Sequence, residues 1–348
     1  MLTAEGAIAM SFDREKKKNI ILYMLEKIDR KDSSVVKKTA DAFGTTPATI
    51  YKYIDELIGN GILEKKKRGQ YELVRTSPTF SLKRSAGDLT SEQAVFDRYI
   101  KPNIEGFSKN IKDIWEYISG EMVNNIIDHS EAENVSVIFI SDFLKTRLVL
   151  LDDGVGIFEK IRNYFDLDSI DDAVSELFKG KVTTDSANHS GEGIFFSSRI
   201  ADSFVIISSD KIFTHSKFDT DGLQNYPEAI LSGKGTSVVA ELSNWTKKKI
   251  ADIFREYEDD DGEFTKTKIS IDSYFDGAPV SRSQAKRLCN RLQNFKEVEL
   301  NFAGIEWMGQ GFAHQLFVVY QRATPGVRLL PVNMNEAVQR MYNHVTNS

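Results

Sequence analysis

The chain has 348 residues, 41% hydrophobic and 28% charged, with 51 acidic against 45 basic side chains and a net charge of −6. That length exceeds one typical domain and supports more than one core. No apolar run approaches the ~20 residues that span a bilayer. The segment from Met1 to Met10 lacks the basic start of a signal peptide. The one cysteine, Cys289, excludes an intramolecular disulfide and reads as a small buried hydrophobe, which suits a cytoplasmic setting.

The charge is uneven. From Asp13 to Arg75 there are 15 Lys/Arg and 10 Asp/Glu, so this stretch carries +5 and the remainder −11. Ile21, Leu25 and Ile28 are spaced for one face of a first helix. Ser33 or Ser34 is placed to cap a second helix, which Gly44 ends. Thr46 precedes Pro47 at the start of a third, with Ile50, Ile54 and Leu57 facing inward. Ile62 and Leu63 then pair with Tyr71 to Leu73 as strands around a basic turn. This order resembles a winged helix-turn-helix over residues 13–75. The resemblance implies duplex DNA as a partner. Thr46, Thr49, Tyr51 and Lys52 would reach base edges or phosphates, while Lys65, Lys66, Lys67 and Arg68 would form the wing and contact backbone. A winged helix used for protein contacts or dimerisation is the alternative.

Residues 76–104 read as a connector broken at Pro78 and Pro102, with a short helix from Ser91 to Ile100. Three segments then follow in order. Glu121 and Asn125 lie i, i+4 on one helix face, an amide oxygen suited to Mg²⁺ beside a carboxylate able to deprotonate water. Asp152 ends the apolar run from Leu148, positioned to accept from a base amino group, and Gly154 and Gly156 allow close backbone approach. Gly191 and Gly193 precede a helical run, whose first N–H groups suit phosphate.

Together these segments resemble the GHKL ATPase superfamily of gyrase B, heat-shock chaperones and histidine kinases, over roughly residues 105–245. The resemblance implies ATP and Mg²⁺ as ligands. Glu121 matches the general base and Asn125 the magnesium ligand, with Asp128 and His129 continuing that box as in anti-sigma-factor kinases. Asp152, Gly154 and Gly156 match the adenine-reading glycine box, and Gly191 and Gly193 match the second. Gly235 and Thr236, after Gly233 and Lys234, resemble the Gly-Thr that opens a strand beneath adenine. Residues 158–190 would form the lid, with Thr183, Thr184 and His189 as phosphate contacts.

The acidic run from Glu256 to Glu263 reads as a linker, because Tyr257 stands where a calcium loop needs an oxygen ligand. Beyond it strand and helix signals alternate: a strand from Lys268 to Tyr274, a helix from Ser281, a strand from Val298 to Phe302, a helix from Gly311, then a strand and a last helix. The stretch from Asn301 to Phe312 resembles the strand-turn-helix of STAS domains, most closely the STAS-like domains found beside GHKL modules. Gly309 occupies the place of the phosphorylatable serine, which argues against phosphorylation and for a binding scaffold.

The histidines have no spaced partners for zinc or a catalytic triad, and no Walker loop is present, since Lys234 is followed by Gly235. The expected architecture is multi-domain α+β: a winged helix at 13–75, a connector at 76–104, a GHKL α/β sandwich at 105–255, an acidic linker at 256–263 and a small STAS-like α/β domain at 264–348. The expected function is that of a bacterial DNA-binding regulator and slow ATPase. It would form a homodimer or engage a protein through its last domain. An anti-sigma-type serine kinase and a non-catalytic nucleotide sensor are the alternatives.

Overall fold

The computed structural model describes residues 4–182, 191–214, 234–275 and 277–347, with side chains from Arg14 onward. The fold is mixed α/β with several sheets and divides into two compact units. The first takes the chain up to Pro78 with Phe139–Arg147 and Leu242–Thr246; the second takes Thr79–Ile138, Leu148–Glu241 and everything from Lys247. Among the described residues no helix is long and apolar enough to cross a membrane.

The first unit has helices α1 (Ala4–Asp29), α2 (Val35–Phe43) and α3 (Pro47–Gly59), then a hairpin of β1 (Leu63–Lys67) and β2 (Gln70–Leu73). Its core takes Leu25 and Ile28, Ile50, Ile54 and Leu57 from the expected faces and is closed by Leu63, Leu73 and Leu144; on the first helix Ile20 and Met24 are buried, and Ile21 only packs against them half-buried. Thr46 caps α3 from an extended backbone and accepts the Thr49 N–H at 3.3 Å. Ser34 departs from expectation. Its backbone is left-handed, φ 60°, so its hydroxyl caps nothing, unlike an extended cap residue that reaches the next N–H groups.

A six-stranded sheet of order β3-β4-β5-β8-β6-β7 has most of its residues in the second unit, while the end of β4, the start of β5 and the end of β8 are counted with the first. These strands are β3 (Thr79–Lys83), β4 (Asn134–Ser141), β5 (Lys145–Asp152), β6 (Ser203–Ser208), β7 (Lys211–Thr214) and β8 (Thr236–Ser243). One face buries Val149, Val205, Ile207 and Val239 together. The second unit's helices include a short α4 (Glu92–Val95), the long α5 (Lys109–Asn125), α6 (Ile157–Tyr164), α7 (Ile170–Lys179) and α8 (Gly193–Ile200). Helix α5 buries Ile111, Ile114, Trp115, Ile118 and Met122, an i, i+3, i+4 stripe that explains why it is a helix.

The same unit ends in a parallel sheet of order β11-β10-β9, from β9 (Lys266–Ser270), β10 (Glu297–Asn301) and β11 (Arg328–Val332). Strand β9 is shorter than its alternating pattern suggests. Ser270 accepts from the Ser273 N–H and turns Ile271–Tyr274 into one helical turn. Between the strands lie helices Arg282–Cys289, with a reciprocal Ser281–Gln284 capping box, and Gln310–His314; Glu336–Thr346 closes the chain.

Candidate functional site

Helix α5 carries Glu121 and Asn125 on one face, both half-buried. Past Asn125 it widens into a π-type turn, Ile126–Ser130, in which Ser130 Oγ donates to Ile126 O at 2.7 Å. Such wide turns recur at functional sites. This one brings His129 and Ser130 to the same wall as Glu121.

Strand β5 ends on Asp152, only 7% exposed. Its Oδ1 accepts the Gly154 N–H at 2.9 Å. Burial pushes this carboxyl up to about 6, against the pull of the Gly154 and Thr236 backbone N–H groups. Sheet order sets β8 beside β5, so Thr236 at the start of β8 lies next to Asp152, and its hydroxyl accepts the Ile157 N–H at 3.1 Å.

The glycines are fixed by crowding. A Cβ on Gly235, whose φ is +94°, would stand 2.0 Å from Asp152 O. A Cβ on Gly193 would stand 2.1 Å from Glu121 Oε2, so a side chain at the start of α8 fits only if the Glu121 carboxylate swings away. Gly154 is likewise closed by Ser130 O at 2.0 Å. These contacts lock the α5 end, the β5 end and the α8 start into one arrangement.

Between these elements lies a cavity of about 300 Å³. Glu121, Asn125, Asp152, Gly156, Gly191, Gly193 and Thr236 all line it; Gly154 and Gly235 stand behind the wall and shape it. Thr183, Thr184, His189 and Gly233 lie outside the described residues. Sequence reasoning missed Asn124, Lys160 and Glu192, which also line the cavity. Lys160 Nζ donates to His129 O at 2.6 Å and lies 3.7 Å from Glu131. Its signal was the i, i+3, i+4 spacing of Ile157, Lys160 and Ile161, which puts one α6 face on the wall.

The basic residues of the first unit are at the surface. Thr46, Tyr51 and Lys52 are exposed on α3, while Thr49 is half-buried with its hydroxyl 3.0 Å from that of Thr46. Lys65, Lys66, Lys67 and Arg68 are exposed on the hairpin, and Lys66 pairs with Glu64 at 2.5 Å and Glu72 at 3.7 Å. The same α3 surface also exposes Asp55, so it is not uniformly cationic.

In the last sheet region, Gly309 caps the helix Gln310–His314, and a Cβ there would lie 2.4 Å from Val280 O. No serine fits without backbone movement. Cys289 is buried and its thiol is pushed up to about 12 by that burial, which leaves it unreactive. No curated protein matches the chain. The C-terminal region is STAS-like: residues 284–339 match the family model described as a STAS-like domain of unknown function (DUF4325).

Proposed function

We propose that the chain binds ATP in this cavity as a GHKL-type module, hydrolyses it slowly, and lets nucleotide state control DNA or partner binding. What carries the reading is that Glu121, Asn125, Asp152, Gly191 and Gly193, singled out as separate motifs, line one cavity of a size suited to a small ligand. The donor set fits Mg-ATP. Asn125 offers one hard oxygen, and Mg²⁺ usually takes few protein ligands beside phosphate oxygens. Such a cation neutralises phosphate charge.

In this reading Asp152, ionised, accepts from the adenine amino group, and Thr236 lies beneath the ring. The unsatisfied N–H groups at the start of α8 meet phosphate. Glu121 takes the proton of the attacking water, and its contact with the Gly193 backbone keeps it at the phosphate end. The exposed α3 start and hairpin give the first unit, as a winged helix, a surface for duplex DNA, with backbone contacts from the lysines. ATP-driven homodimerisation would pair two such surfaces, and the STAS-like domain would take a protein partner. A cytoplasmic, bacterial setting suits this role.

The test is phosphate release by the intact chain with Mg-ATP. Release without any partner supports hydrolysis. Transfer of labelled phosphate to a second protein, with no free release, identifies an anti-sigma-type kinase instead. Binding with neither outcome leaves a nucleotide sensor.

A further inference from the structure

Lys179, the last residue of α7, is 1% exposed, yet its ammonium is fully satisfied. Nζ donates to Glu176 Oε1 at 2.6 Å, Arg287 O at 3.0 Å and Asn290 O at 2.9 Å, three acceptors for three protons. The two carbonyls belong to the end of the helix Arg282–Cys289, in the STAS-like region, where a cation complements unpaired C=O groups. Strand β9 adds a bond of its own, Thr267 Oγ1 to Lys179 O at 2.7 Å. Arg291 faces the buried Glu176 at 3.5 Å and donates to Lys181 O. Lys181 in turn donates to Asn294 O at 3.2 Å.

This network ends at the cavity. Lys181 holds a left-handed backbone, φ 54°, a cost that persists only where the surroundings impose it. The next residue, Val182, lines the cavity and donates its N–H to Gly191 O at 3.1 Å; Gly191 lines it too, two residues before the glycine that touches Glu121. The bonds therefore run from the carbonyl end of a C-terminal helix, through Lys179 and Arg291, to the Gly191 side of the cavity.

We infer that Lys179 and Arg291 are positioning residues for the phosphate side of the nucleotide site, so that the STAS-like domain completes that site and reports on whether phosphates fill it. The inference rests on the reading of the cavity as an ATP site. By linkage, whatever binds the STAS-like domain and shifts this network shifts phosphate affinity in the same measure. Because adenine is read at the other end, the effect is selective for phosphate.

Calorimetry with Mg-ATP and with adenosine, on the intact chain, tests this. The variants are Arg291→Met, which removes the donor to the Lys181 carbonyl, and the double variant Glu176→Gln/Lys179→Met, which removes the buried ion pair and leaves Arg291 its bond to that carbonyl. Thermal unfolding verifies that each is folded. The expected result is Mg-ATP affinity lower by about tenfold, within the usual range of coupling between sites, with adenosine affinity unchanged. An unchanged ATP-to-adenosine ratio in a folded Arg291→Met protein overturns the inference while the nucleotide site stands. Loss of both ligands in proportion also overturns it, since that is a general structural effect. Failure of the parent chain to bind either ligand removes the nucleotide reading itself.

Discussion

A methyl group on Gly193 would lie 2.1 Å from the Glu121 carboxylate, whereas Lys65, Lys67 and Arg68 stand in open solvent on their hairpin. At the cavity, helix and strand ends meet so closely that a side chain at Gly154 or Gly235 would run into backbone, and one at Gly193 would displace the Glu121 carboxylate. The hairpin packs Leu63 and Leu73 into the first core but turns a cationic surface outward, and part of that charge is paired with Glu64 and Glu72. A crowded site ties its residues to one geometry, so small changes there are costly. An exposed cationic surface tolerates change and acts through the sum of its charges.

The largest effect belongs to the cavity. Glu121→Gln should slow hydrolysis by roughly 10²–10⁴-fold, the usual contribution of a positioned base, while ATP stays bound. Phosphate release beside calorimetry measures both. Hydrolysis at the parental rate would put water activation elsewhere.

Two glycine replacements sharpen the contrast between crowded and open positions. Gly235→Ala should lower folding stability by roughly 2–4 kcal/mol, from a forced positive φ and a clash with backbone. Gly120→Ala, in helix α5 with nothing near the added carbon, should raise stability by about 0.5–1 kcal/mol. Denaturant unfolding of the pair checks this. Equal effects would show that the crowding at Gly235 relaxes freely.

Asp152 carries the pH dependence. Its folded pKa, about 6, stands above the ordinary 3.8. Protonation therefore favours the fold: this contribution is complete below about pH 4 and lost as pH rises through about 6. Asp152→Asn should thus be more stable than the parent by roughly 2–3 kcal/mol at neutral pH, and the two unfolding curves should converge in acid. A difference that persists at pH 4 would contradict the burial argument.

The smallest stability effect should come from the hairpin. Replacing Lys65, Lys67 and Arg68 with Ala should alter folding by less than about 0.5 kcal/mol. Yet it should weaken duplex binding to all sequences alike and flatten its salt dependence. Gel shifts across salt concentrations decide this. No shift by the parent protein under any condition would leave the surface without a DNA role.

How much of this was legible in the sequence follows the same division. Glu121 and Asn125 stood out by their i, i+4 spacing and Asp152 and the glycines by residue type, and the fold brings Glu121, Asn125, Asp152, Gly156, Gly191 and Gly193 to one cavity. Ser34 and the end of β9 were not legible, because a left-handed turn and a serine cap depend on backbone angles that local composition does not set. Lys160 went unseen because a lysine on a helix is ordinarily a solvated side chain; the fold alone turns it to His129 O. Lys179 and Arg291 were hidden for a deeper reason. The carbonyls that Lys179 reaches on Arg287 and Asn290, and the carboxylate that Arg291 faces on Glu176, lie more than a hundred positions away in sequence, beyond any periodicity.

Adenine-nucleotide binding at Asp152 is tested most directly by calorimetry with ATP and GTP on the parent chain and on Asp152→Ala. Guanine carries a carbonyl where adenine carries its amino group, so a carboxylate acceptor separates the two. The parent is expected to bind ATP over GTP, and Asp152→Ala to fold but lose ATP. Unchanged ATP affinity in a folded Asp152→Ala protein would contradict this reading.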